Sequence, residues 1–95
     1  MPDPATPALP ERPRLAPGVR LHYDATREHW VLLCPERVIE AEGPASAILQ
    51  RCDGTRGIAQ IVDELAEMYA ADRAVIDQDV RDLLTDLAAK RLLTA

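Results

Sequence analysis

The sequence predicts an α+β fold, a three-stranded antiparallel sheet followed by three helices. Three observations carry this. Between residues 18 and 41 apolar side chains alternate or fall in short runs, as they do in strands. After Gly43 they recur at i, i+3, i+4 and i+7, the spacing of amphipathic helices. The connections between the strands are short, which favours an antiparallel meander over parallel crossovers. At 95 residues the chain has room for one small domain.

The elements follow in order. Residues 1–17 hold six of the eight prolines, which remove backbone donors and fix φ, so an extended, mobile arm is expected there. Pro17-Gly18 is the turn that closes it, and the folded domain is expected to span residues 18–95. Val19, Leu21 and Tyr23 alternate with Arg20, His22 and Asp24, which describes a half-buried strand. The polar stretch from Asp24 to Glu28 reads as a hairpin loop. Residues 29–34 are apolar on both faces and should form the central strand. Pro35 ends it. Residues 37–41 make a short third strand of mixed polarity beside a proline, as edge strands do.

Pro44 suits a first helical position, and Ala45, Ile48, Leu49 and Cys52 form the stripe of the first helix. Asp53-Gly54 stops it. Ile58, Ile61, Val62, Leu65, Ala66 and Tyr69 form the apolar face of the second. Asp72 can cap the third, whose face is Val75, Ile76, Val80, Leu83, Leu84, Leu87 and Ala88. Leu92-Leu93 is a terminal anchor or a short extra strand.

Composition narrows the function. The net charge is −5 and aromatic residues make up 3% of the chain, with no Phe. The apolar run Val31–Cys34 is too short to cross a bilayer. The first residues lack a basic stretch followed by an apolar one, so no signal peptide is expected. Two cysteines without CxxC spacing fit a reducing, cytoplasmic setting. Gly54 to Gly57 is too short for a phosphate-binding loop and follows a helix rather than a strand. His22 and His29 flank the hairpin, but a structural zinc needs four ligands, and Cys34 and Cys52 lie on other elements. Both cysteines sit in apolar patterns, as core residues do. The carboxylates fall on polar helix faces. No catalytic centre, metal or cofactor is therefore expected.

A small sheet with three helices is also the outline of a winged helix, so a DNA-binding transcriptional regulator is the alternative reading. A helix that reads DNA should be basic. From Ile58 onward there are eight acidic residues and four basic ones, a balance that repels phosphate. No nucleic-acid or membrane partner is expected. A binding module remains. An edge strand leaves backbone N–H and C=O groups free, and an extended peptide can complete them as an added strand. The expected site is Arg37, Val38, Ile39, Glu40 and Ala41 on the edge strand, with Val75, Val80 or Leu83 of the third helix as a wall. The same edge leaves a homodimer open.

Arg14 to Arg20, Trp30 to Leu33, Pro35 to Val38, Ile48-Leu49, Cys52 to Gly54 and Ile61-Val62 together resemble the PqqD family of pyrroloquinoline quinone biosynthesis. The resemblance covers roughly residues 14–94. It implies a winged-helix-like fold and a non-catalytic peptide chaperone, a recognition element for ribosomally made, modified peptides. Such proteins bind the precursor peptide PqqA as a strand added to the sheet edge beside the third helix. They present it to the radical S-adenosylmethionine enzyme PqqE. Carried onto this chain, the resemblance implies the edge Arg37–Ala41 and a helix wall that starts near Val75 and passes Asp79 and Val80.

Overall fold

Alternation of side chains across the strands settles which face of the sheet is buried. The computed structural model describes residues 9–94. Strand β1 is Arg14–Leu15, β2 is Arg20–Asp24, β3 is His29–Leu33 and β4 is Val38–Ala41. Helices α1 (Pro44–Gln50), α2 (Ile58–Tyr69) and α3 (Arg73–Ala89) follow, then β5 (Leu93–Thr94). The main sheet has the order β2-β3-β4, all antiparallel, with β3 central as its two-sided apolar sequence requires. Leu21 faces Leu32, and Leu32 faces Ile39 across the strands. With Trp30 and Ala41 they form the face under the helices. Arg20, His22, Val38 and Glu40 are exposed on the other face. Val31 is buried there although it belongs to neither cluster of the core. Asp24 Oδ1 accepts from the Thr26 and Arg27 N–H groups at 3.0 and 3.2 Å, and this fixes the β2–β3 turn.

Helix α1 begins at Pro44 after Gly43, whose φ of +55° is the left-handed backbone that favours glycine. Ser46 Oγ donates to the Gly43 carbonyl at 2.8 Å. The helix is shorter than its expected stripe. Cys52 lies beyond its end but stays buried, and Ser46 and Ala47 join Ile48 and Leu49 inside. Helix α2 buries Ile61, Val62 and Leu65, whereas Tyr69, expected on the same face, is the last residue of the helix and is 42% exposed. Asp72 caps α3, its Oδ1 accepting from the Ala74 N–H at 2.9 Å. Ile76, Val80, Leu84 and Leu87 are the buried stripe of α3. Glu64 of α2 accepts from Arg51 at 3.2 Å and from Arg56 at 3.1 Å, which ties the end of α1 to α2.

The core has two clusters. One gathers Ile48, Ile61, Val62, Leu65, Ile76, Val80 and Leu84 between the helices. The other gathers Val19, Leu32, Ala41, Leu49, Leu87 and Leu92 between sheet and helices. Leu15, Leu83 and Leu93 pack against both. Each buried aliphatic side chain of this kind stabilises the fold by about 1.5–3 kcal/mol.

The boundary expected after residue 17 falls inside a folded segment. Pro13 is fully buried, and β1 pairs antiparallel with β5, Arg14 opposite Thr94 and Leu15 opposite Leu93. The Ala16 N–H donates to the Leu92 carbonyl at 2.9 Å, and the Pro13 carbonyl accepts from Gly54 at 3.1 Å. The physical reason is local. Pro13 has no N–H to satisfy, and the three residues between it and Pro17 are free to pair. The first eight residues of the arm expected over residues 1–17 lie outside the described residues.

Candidate functional site

Strand β4 is an edge. Among the described residues its only ladder partner is β3. Pro35 and Glu36 form the turn between the two strands, and the Cys34 N–H donates to the Arg37 carbonyl at 2.9 Å. That bond makes Cys34 and Arg37 a hydrogen-bonded pair. Antiparallel pairs alternate between bonded and non-bonded, so Leu32–Ile39 and Trp30–Ala41 are also bonded, and Leu33–Val38 and Val31–Glu40 are not. Ile39 and Ala41 therefore turn their backbone groups toward β3. Val38 and Glu40 turn theirs away from the sheet, where a further strand would lie.

The later part of helix α3 lies near this edge. Leu83, half-buried, packs against the same cluster as Ile39. At the end of the helix, Lys90 and Leu92 line an open pocket of about 220 Å³ with Cys34, Pro35, Glu36 and Arg37. The start of β4 thus lies next to the end of α3. Val75, Asp79 and Leu83 are four residues apart and share one flank of the helix.

The expected site residues divide by exposure. Arg37, Glu40 and Asp79 are exposed, Val38 is 62% and Val75 57% exposed, and Ile39 and Leu83 are half-buried. Val80 does not line the groove. It is fully buried against Ile61 and Leu65, one residue round the helix from Asp79, so it supports the wall from behind. The Ala41 side chain is also buried, at 3% exposure, and only its short Cβ faces the cluster. Sequence reasoning missed His29 as a neighbour of the edge. Its Nε2 lies 3.8 Å from Glu40 Oε1 on the face away from the helices and is buried without a hydrogen bond. Only the strand register shows this proximity.

The chemistry available is that of binding. Among the described residues no three His, Cys, Asp or Glu side chains converge as a metal site. Burial, with a smaller contribution from the Asp53 charge, pushes the Cys52 thiol up to about 12, which leaves it protonated and unreactive at neutral pH. The Thr55 hydroxyl and N–H both donate to Asp53 and hold its carboxyl below the usual range. These bonds belong to the turn between α1 and α2. Among the described residues no helix is long and apolar enough to cross a membrane.

A three-stranded sheet backed by three helices, with one edge open beside the last helix, defines a small winged-helix-like module. The profile of the family described as Coenzyme PQQ synthesis protein D (PqqD) matches residues 29–93, and the chain belongs to that family. It is 52% identical over 82 residues to the "PqqA binding protein" of Xanthomonas oryzae pv. oryzae strain PXO99A, covering 86% of this chain and 89% of the relative. It is also 52% identical over 83 residues to the protein of that name from Rhodopseudomonas palustris strain TIE-1, covering 87% and 81%. Among solved structures it is similar to the PqqD truncation of Methylobacterium extorquens PqqCD, determined by solution NMR. The TM-score there is 0.78 at 40% identity, over 93% of this chain and 96% of the other. That protein is described as a functional, stand-alone recognition element for ribosomally synthesized and post-translationally modified peptides. The crystal structure of PqqD from Xanthomonas campestris superposes with a TM-score of 0.61 at 43% identity, over 100% and 99% of the two chains.

Proposed function

We propose that this chain is a non-catalytic peptide chaperone of pyrroloquinoline quinone biosynthesis. It binds the precursor peptide PqqA as a strand added to β4 and presents it to the radical S-adenosylmethionine enzyme PqqE in the cytoplasm. The observation that carries this reading is the row of outward backbone groups at Val38 and Glu40, open beside α3. Relatives at about half identity that bear the name PqqA binding protein support it. An added strand gains affinity from main-chain hydrogen bonds and selectivity from alternate side chains. Holding the peptide near its enzyme raises its effective concentration there.

The test is a titration of labelled protein with PqqA, followed residue by residue in NMR. Shifts should concentrate in residues 36–42 and 74–84; shifts confined elsewhere would move the site. Val38→Pro removes an outward N–H and leaves the bonds to β3 intact, so it should weaken PqqA by about fivefold to tenfold with little change in melting temperature. Ile39→Pro breaks the Leu32–Ile39 pair instead and should unsettle the hairpin itself. Because the same edge would pair with a second copy, sedimentation measured with and without PqqA reports whether peptide and homodimer compete.

A further inference from the structure

Two exposed charges of opposite sign, Arg37 and Asp79, flank the apolar contact of β4 with α3, and neither makes an ion pair among the described residues. Arg37 alternates with Val38, so its side chain lies on the face of Ile39 and Ala41, toward α3, where it lines the pocket with Lys90 and Leu92. Lys90 is already engaged by Asp86 at 2.8 Å. Among the described residues Arg37 makes no ion pair, even with Glu36 of the same pocket. One turn before Leu83 on the same flank of α3, Asp79 is exposed and makes no ion pair among the described residues either. Half-buried Ile39 and Leu83 lie between them on one apolar cluster.

Spacing converts this into a pattern. From Lys90, level with Arg37, to Asp79 the helix rises about 16 Å. A strand laid along β4 points every second side chain into the groove. Four strand residues span about 13 Å, and a Lys or Arg side chain reaches the remainder; five residues would point the second charge out of the groove. We propose that the groove recognises an extended peptide segment with an acidic side chain at Arg37, an aliphatic one two residues on at Ile39 and Leu83, and a basic one two further on at Asp79. This rests on the docking reading above and adds to it what selects the peptide and fixes its direction.

The experiment measures PqqA binding to wild type, Arg37→Glu, Asp79→Lys and Val38→Pro by calorimetry. A panel of PqqA peptides accompanies them, in which each acidic residue in turn is changed to Lys and each basic residue in turn to Glu. Arg37→Glu and Asp79→Lys should each weaken PqqA about fivefold, an effect sensitive to salt. One acid-to-Lys peptide should restore binding to Arg37→Glu, and one base-to-Glu peptide should restore binding to Asp79→Lys. The two rescuing positions should lie four residues apart. A structural effect of either substitution would not be rescued by a change in the peptide. If Val38→Pro weakens binding but no peptide rescues, or the rescuing positions are not four apart, the charge pattern is wrong and docking at the edge stands. If folded Val38→Pro binds as wild type does, or wild type does not bind PqqA, docking at β4 falls and the pattern with it.

Discussion

Val38 and Ile39 are neighbours of similar chemistry with opposite roles. The Ile39 side chain enters the cluster of Leu32 and Leu87, and its backbone is tied to β3, whereas Val38 is 62% exposed and its backbone faces outward. One residue of register makes the difference. Cys52 shows a second effect at this scale. Its thiol pKa is raised from 9.0 to about 12 in the folded chain by burial, so the unfolded chain loses the proton first. The unfolded state therefore binds fewer protons over that interval, and stability falls as pH rises through it. Three pH units correspond to at most about 4 kcal/mol. Denaturant midpoints should fall between pH 9 and 12 in the wild type, and Cys52→Ala should show a shallower decline. Parallel curves for the two proteins would refute the assignment.

Among the elements, the three helices and the main sheet were legible because their signals are local. Period two from Val19 to Tyr23, the helical stripe of α2 and the cap at Asp72 all appear within a few neighbouring residues. Strand β1 was hidden among prolines. Its partner β5 lies nearly eighty positions away, and no local period marks a two-residue strand. The pair fastens the start of the described chain to its end and places Leu15 and Leu93 against both core clusters. Leu15→Ala should thus cost about 1–2 kcal/mol in urea unfolding, below the cost of a fully buried leucine because Leu15 is only half-buried. An unchanged midpoint would mean that β1 adds nothing to the fold. Of the candidate site, the edge position of β4 was legible in its short, mixed-polarity sequence beside Pro35. It was not legible which wall residues stand free, since Val75, Asp79 and Val80 sit on adjoining lines of one helix and only packing against α2 divides them.

At the scale of the molecule, charge separates the functional classes. The chain carries a net −5, with the acidic excess concentrated from α2 onward. Duplex DNA should therefore show no salt-dependent binding by fluorescence anisotropy near physiological ionic strength, and a steep salt slope would revive the regulator reading. The element order, the helical faces and the central position of β3 could be read along the chain, because periodicity and turn residues act over a few positions. The β1–β5 clasp, the burial of Val80 beside exposed Asp79, the approach of His29 to Glu40 and the outward turn of the Val38 and Glu40 backbone emerge only in the folded chain. Each of those depends on which distant segment lies alongside, and burial and hydrogen bonding are assigned by that neighbour rather than by the residue's own type.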